Sequence, residues 1–170
     1  ARCNATDAGS EVTVFEGDLT KMPTALKALR FDHVMANPPY LARGGGTAAR
    51  DGGREMALRE GGTALADWVR AGMRRLTDGG ILTVIQSADR LPALLAALPA
   101  EGLGVTILAV HPRAGRPSTR VILRAVKGGR AAFRIAPPFV LHEGDQHLRD
   151  GDDFSARARA ILRDGAALEF

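Results

Sequence analysis

Residues 31–41 read FDHVMANPPYL: a mostly apolar hexapeptide, then an amide, two prolines and an aromatic ring. The apolar and β-branched content of FDHVMA (31–36) predicts a buried β-strand. Pro38 and Pro39 lack the backbone donor that a sheet ladder requires, so the strand must end before them. Asn37 and Tyr40 therefore follow the carboxyl end of the strand, where they present side chains and do not extend the sheet.

The rest of the chain alternates between strand and helix patterns. Strands are also predicted at 11–18, 81–86, 104–110 and 118–126, and a proline-interrupted extended segment at 133–142. Helices are predicted at 20–30, from Thr63 to the Asp-Gly-Gly of 78–80, at 88–98, and at 155–165 with Ser155 as cap. This order predicts an α/β fold, in which a mainly parallel sheet carries helices on both faces. Ligands of such sheets bind at the carboxyl ends of the strands, where Asp18 and Asn37 are both expected.

Composition predicts one domain over residues 1–170, because a chain with 45% hydrophobic residues buries one sizeable core. No stretch approaches the roughly 20 apolar residues that cross a bilayer, and residues 1–20 lack the pattern of a secretory signal. The single cysteine, Cys3, excludes an internal disulfide and a thiolate metal cluster. A cytoplasmic location is therefore expected.

The net charge of +4 and a pI near 10.0 favour anionic partners. No acidic residue lies between Glu101 and Glu143, whereas seven basic residues do: Arg113, Arg116, Arg120, Arg124, Lys127, Arg130 and Arg134. This distribution predicts a basic face for phosphates. A chance cluster in an arginine-rich chain remains the alternative.

The residues after the strand suit chemistry on an amino group. The side-chain carbonyl of Asn37 and the backbone carbonyl of Pro38 are two acceptors for the protons of one –NH2 group. Accepting both protons favours the sp3 nitrogen of a transition state over the planar ground state. The prolines make the segment rigid, and Tyr40 offers a ring on which a base stacks, worth roughly 1–3 kcal/mol. The alternative is a plain strand exit, in which Asn37 caps its own backbone.

The tetrapeptide NPPY (37–40), placed after FDHVMA, resembles the motif of class I S-adenosylmethionine-dependent methyltransferases of the NPPY type. The resemblance implies a Rossmann-like sheet and S-adenosyl-L-methionine as the cofactor. It implies that Asn37, Pro38, Pro39 and Tyr40 bind the target amino group and its ring. It also implies that Asp18 and Leu19, in EGDL (16–19), lie with Asn37 near the donor. A turn cap is the alternative role of Asp18.

The segments that follow resemble one subfamily, the bacterial tRNA adenine-N6 methyltransferases that act beside the anticodon of a valine tRNA. They are LTDGGILTVIQSADRLPALLAAL (76–98), HPRAGRPSTRVILRAVKGG (111–129) and LHEGDQHLRDGDDFSARARAILRDG (141–165). This resemblance implies tRNA as the partner, with Arg113, Arg116 and Arg120 on its phosphates. No metal is expected, because His142 and His147 do not form a helical i, i+4 pair and no cysteine assists them, a pattern typical of a solvated loop.

The chain departs from that family at its amino end. It has no G-x-G-x-x-G loop and no acidic residue after a second strand, the features that hold the donor in the family. We therefore expect an incomplete methyltransferase domain that lacks the first two strands and is inactive by itself. A missing amino-terminal segment or a second copy of the chain is expected to complete the sheet.

Two other functions remain open at this stage. The first is glutamine N5 methylation of a release factor or another protein, because a carboxamide presents the same –NH2 group to Asn37 and Pro38. The second is a non-catalytic remnant that binds RNA or dimerises.

Overall fold

The computed structural model describes residues 12–39, 64–100, 102–146 and 153–170. Five strands form one sheet: β1 Phe31–Ala36, β2 Leu76–Ser87, β3 Leu103–Arg113, β4 Arg120–Lys127 and β5 Arg134–His142. The helices are α1 Thr24–Ala28, α2 Leu65–Arg75, α3 Leu91–Ala96 and α4 Ala156–Leu162, with 3-10 turns at Leu19–Lys21 and Ala88–Arg90. None of the helices in these ranges has the length and apolar character to cross a membrane.

The sheet is mixed, with the strand order β1-β2-β4-β3-β5. β1 is parallel to β2 and β3 is parallel to β5, whereas β4 is antiparallel to both of its neighbours. The short connection between β3 and β4 explains this insertion, since a parallel pair needs a crossover of about a dozen residues or more. The predicted α/β sheet is confirmed, and its mainly parallel character is corrected to a mixed one.

Helices cover both faces of the sheet, as predicted. On one face α2 and α3 pack on β2 and β4, around the buried residues Leu82, Leu94 and Leu123. On the other face α4 packs on β3 and β5, around Leu108 and a second cluster of buried residues. Helix α2 lies so close to β2 that a Cβ atom at Gly72 would stand 2.7 Å from Leu82 Cδ1.

The strand predicted at 31–36 is confirmed at both ends, but its predicted burial is wrong. None of its residues is buried and Met35 is 82% exposed, because β1 is an edge strand of the described sheet. The prediction that Asp78-Gly79-Gly80 ends a helix is wrong, because α2 ends at Arg75 and these residues lie within β2. They form an irregularity in the ladder, since Phe31 pairs with Leu76 but His33 pairs with Ile81. Gly79 has a φ of +80°, a conformation that favours glycine.

The strand predicted at 11–18 is wrong for its described part, residues 12–18, which have no strand structure. No described strand pairs with them, and Val12 is 58% exposed and Phe15 37% exposed. The proline-interrupted segment at 133–142 is the edge strand β5. One extra residue between the pairs Leu108–Ala136 and Val110–Phe139 accommodates its two prolines, as prolines require in a sheet.

Candidate functional site

The carboxyl ends of β1 and β2 meet at one edge of the sheet, together with the amino end of β4. Ala36 pairs with Val84 in the parallel ladder, and Ser87 pairs with Arg120 in the antiparallel one. The β3–β4 connection lies at the same edge, because Val110 also pairs with Arg120. This carboxyl edge therefore brings the segment after β1 and the basic segment before β4 to the same side of the molecule.

Asn37, Pro38 and Pro39 leave β1 at the carboxyl edge. Asn37 is exposed, Pro38 is buried and Pro39 is half-buried. No hydrogen bond joins the Asn37 side chain to the described part of the chain, which speaks against a capping role. Tyr40 lies outside the described residues. The amide of Asn37 is thus presented to solvent by a rigid, partly buried dipeptide.

Gln86, the penultimate residue of β2, holds this dipeptide in place. Its side chain is fully buried. The Gln86 Nε2 amide donates to the carbonyl of Pro38 at 3.4 Å and to the carbonyl of Pro39 at 3.2 Å. Gln86 Oε1 accepts from the backbone N–H of Ser87 at 2.8 Å. Since a buried amide is costly unless its donors and acceptor are used, these bonds tie the end of β1 to the end of β2.

The sequence-based reasoning missed Gln86. It assigned the Pro38 carbonyl to a proton of the target amine, whereas that oxygen already accepts one bond from Gln86. A carbonyl oxygen has two lone pairs, so one remains for a second hydrogen bond, although Pro38 is buried and its bond to Gln86 lies in the interior. The available signal was a long amide at the end of an otherwise apolar run, ILTVIQ (81–86), in the strand next to the prolines.

Asp18 has the capping role that the sequence left open. It precedes the 3-10 turn Leu19–Lys21, and its Oδ1 accepts from the Thr20 hydroxyl at 2.6 Å and from the Thr20 amide at 2.7 Å. These two bonds, and then the charge of Lys21, hold the pKa of Asp18 below its usual value. Ionised Asp18 therefore favours the folded turn above its ordinary pKa, and this contribution is lost as the pH falls through the lowered pKa. Contact with the donor remains a prediction.

A small apolar cavity lies between Leu19 and β1. Its volume is about 180 Å³, and Val34, Ala36, Trp68 and Gly72 are among the residues that line it. Trp68 lines the cavity, and its buried indole Nε1–H has no hydrogen-bond partner in the described chain. Walls that are mostly apolar suit a flat aromatic group. Ligand pockets usually measure about 300–1,000 Å³, so this cavity suits one part of a donor and not the whole molecule.

Arg113 differs from its predicted role. Its guanidinium donates to the Asp153 carboxylate and to the Glu143 carbonyl, and its side chain is only 12% exposed. Asp153 also bonds His142 Nδ1 at 2.6 Å, and the His142 ring stacks on Phe154 with centroids 5.0 Å apart. These contacts join the end of β3 to the end of β5, so we leave Arg113 out of the proposed RNA contacts.

Replacing Arg113 by glutamine is expected to lower the free energy of unfolding by about 1–3 kcal/mol, because Asp153 loses its guanidinium partner. Arg116→Gln is the matched control. Arg116 is exposed in a turn, so its loss should change stability by at most about 0.5 kcal/mol. Urea unfolding, followed by the fluorescence of the single tryptophan, measures both. Equal stability of the two variants would contradict the structural role of Arg113.

The other two predicted phosphate contacts lie at the carboxyl edge. Arg116 lies in a turn, where its backbone carbonyl accepts a hydrogen bond from His111 Nδ1 at 2.6 Å. Arg120 is the first residue of β4. Both side chains belong to exposed residues. The remaining cations of the basic window lie farther along β4 or beyond it, and Lys127 pairs with Asp78 at 3.4 Å. The single basic face that the sequence predicts is therefore divided into separate groups.

Among the residues that the structure describes, no three histidine, cysteine, aspartate or glutamate side chains come together as metal ligands. His142 is engaged with Asp153, and His147 lies outside the described residues. A cavity of about 620 Å³ lies between α2 and α3 and is lined by Ala66, Arg70 and Ala93 among others. Its lining includes neither Asn37 nor Gln86, so it is not part of the candidate site.

No family model and no curated protein matches this chain. The fold is similar to that of a predicted O-methyltransferase, protein Atu636 from Agrobacterium tumefaciens, with a TM-score of 0.73, 24% identity, and 98% of this chain and 72% of that chain covered. Two crystal structures of M1.HpyAVI, one in complex with SAM, match at TM-scores of 0.36 and 0.39 and 13% identity. The alignment with the SAM complex covers 71% of this chain and 52% of that chain, and the alignment with the other structure covers 76% and 68%. Such low scores carry no weight, whereas the first similarity confirms a methyltransferase-like Rossmann fold and shows the fold alone.

Proposed function

We propose that this chain belongs to an S-adenosyl-L-methionine-dependent N-methyltransferase whose target is the N6 amino group of an adenine in tRNA. The observation that supports the proposal is the exposed amide of Asn37 at the carboxyl edge. It precedes two prolines whose carbonyls are hydrogen-bonded to the buried Gln86 side chain. A Rossmann-like sheet binds its ligands at this edge.

The residues at this edge suit an amino group better than a hydroxyl group. An amino group has two protons to donate, and Asn37 Oδ1 and the second lone pair of the Pro38 carbonyl are two acceptors. Accepting both protons localises the nitrogen lone pair, which stabilises the transition state more than the ground state. The bound donor supplies an electrophilic methyl group. The proton that the methylated nitrogen releases passes to water, so no side chain is required as a general base.

Leu19 and Asn37 are the residues proposed to hold the donor, with Asp18 beside them. The cavity next to Leu19 has mostly apolar walls, which suit an aromatic ring of the donor. Arg116 and Arg120 are proposed to contact tRNA phosphates, since both are exposed cations at the same edge as Asn37.

A methylation assay tests the proposal. The chain, alone and extended upstream, is incubated with labelled donor and either unmodified tRNA or a release factor, and the products are digested and identified by mass spectrometry. We expect N6-methyladenosine in the tRNA. A methylated glutamine in the protein alone, or an O-methylated product, would contradict the proposal. Titration with S-adenosylhomocysteine identifies which forms bind the donor, and donor binding without methylation of tRNA also contradicts it.

A further inference from the structure

A basic groove lies on the sheet face that carries α4, at the amino ends of β3 and β5. Its volume is about 570 Å³, and its lining includes Thr106, Arg124, Arg130, Phe133 and Arg134. The connection from β4 to β5 crosses the start of β3 to form one wall. A Cβ atom at Gly129 would lie 2.6 Å from the Gly104 nitrogen, so this close crossing depends on glycine.

Three of the lining residues are aligned across the sheet. Arg124 of β4 pairs with Thr106 of β3, and Thr106 pairs with Arg134 of β5. Paired residues point to the same face, so the two arginine side chains flank Thr106. With strands about 4.7–4.9 Å apart, their backbones are about 10 Å apart. Arg130 comes from the crossing connection and adds a third cation.

The three arginines carry charge that no side chain of the described chain neutralises. The ion pairs formed by described residues do not include Arg124, Arg130 or Arg134, and the side chains of these three arginines make no hydrogen bond within the described chain. The basic window without acidic residues, from 102 to 142, contains the whole lining. Several unpaired cations in a concave site create a positive potential that attracts polyanions.

Phe133 adds an aromatic surface to this charge. It is 55% exposed, which is unusual for a large apolar side chain, and it immediately precedes Arg134. Unpaired cations beside an exposed aromatic ring are the combination that binds single-stranded nucleic acid, because phosphates pair with the cations and a base stacks on the ring.

We propose that this groove binds single-stranded RNA. Arg124 of the groove lies on β4, and Arg120 at the amino end of the same strand is at the carboxyl edge, where it pairs with Ser87. Four residues of strand separate the two positions, about 13 Å at 3.3 Å per residue. One bound strand can thus extend from the groove toward Asn37. The choice of RNA over DNA rests on the proposed function, whereas strand binding needs no methyl donor.

Fluorescence anisotropy with a labelled, unstructured RNA of about twelve nucleotides, without donor, tests the proposal. We expect Arg130→Gln/Arg134→Gln to weaken binding about tenfold at about 50 mM salt and to reduce the slope of log K against log salt by about 1.4, that is about 0.7 for each lost phosphate contact. Phe133→Ala should weaken binding at least about fivefold through lost stacking.

The matched control is Arg30→Gln/Arg74→Gln, which removes two exposed arginines outside the groove lining. An equal loss in this control would overturn the proposal, because net charge alone would then explain binding. Competition by polyglutamate as strong as that by RNA would assign the groove to acidic proteins instead. Preference for a DNA strand of the same sequence would refute RNA as the ligand. RNA binding is measured without the methyl donor and methyl transfer in a separate assay, so failure of the groove and failure of methyl transfer are distinguishable.

Discussion

Replacing Asn37 by alanine is expected to lower kcat for methyl transfer by about a hundredfold or more. The side-chain carbonyl is one of the two proposed acceptors for the target amine, and removal of one preorganised group of this kind costs about 10²–10³ in kcat. Affinity for RNA should change little, since phosphate contacts dominate it. Stability should change by at most about 0.5 kcal/mol, because Asn37 is exposed and its side chain makes no hydrogen bond to the described chain.

The kinetics are measured in a form of the protein that turns over tRNA, with urea unfolding beside them. His33→Ala is the matched control, because His33 is exposed on the same strand and is expected to leave kcat unchanged. Retention of kcat within about twofold in Asn37→Ala would remove Asn37 from the reaction. A large loss of stability would instead indicate that Asn37 caps the end of β1.

Replacing Gln86 by leucine is expected to lower kcat about a hundredfold, although Gln86 touches no substrate in the proposed reaction. Leucine fills the space but donates nothing to the carbonyls of Pro38 and Pro39, so the segment that carries Asn37 loses its support. A displacement of about 1 Å at a reacting centre costs about 10²-fold. The unfolding free energy should also fall by about 1–3 kcal/mol for each buried polar group left without a partner.

Two further variants separate positioning from stability. Val84→Ala, on the same strand and equally buried, should lose about 0.5–3 kcal/mol of stability and keep kcat. Gln86→Glu keeps the shape, and burial favours its neutral carboxyl, whose one O–H can donate to the proline carbonyls. Its kcat, relative to that of the unmodified protein, should therefore rise as the pH falls. A pH-independent ratio, or an equal loss of kcat in Val84→Ala, would show that Gln86 is only structural.

The elements with strong local signals were predicted well. Apolar content defines the strand at 31–36, and the two prolines after it define where it ends. Ser155 caps α4 as predicted, because its hydroxyl oxygen accepts from the Ala158 amide at 3.1 Å. The segment at 11–18 also has the local pattern of a strand. It has no strand structure where it is described, because a strand needs a paired neighbour and a local pattern does not provide one.

The sequence by itself determined the α/β class, the end of β1 and the exposed amide after it, because hydrophobic periodicity and proline act within a few residues. Only the tertiary structure decided what supports that amide and which cations are available. Gln86 reaches the Pro38 carbonyl across 48 residues of chain, and Arg113 reaches Asp153 across 40. The insertion of β4 also aligns Arg124 with Arg134 across β3. These contacts depend on strand pairing between distant segments, which no local pattern encodes.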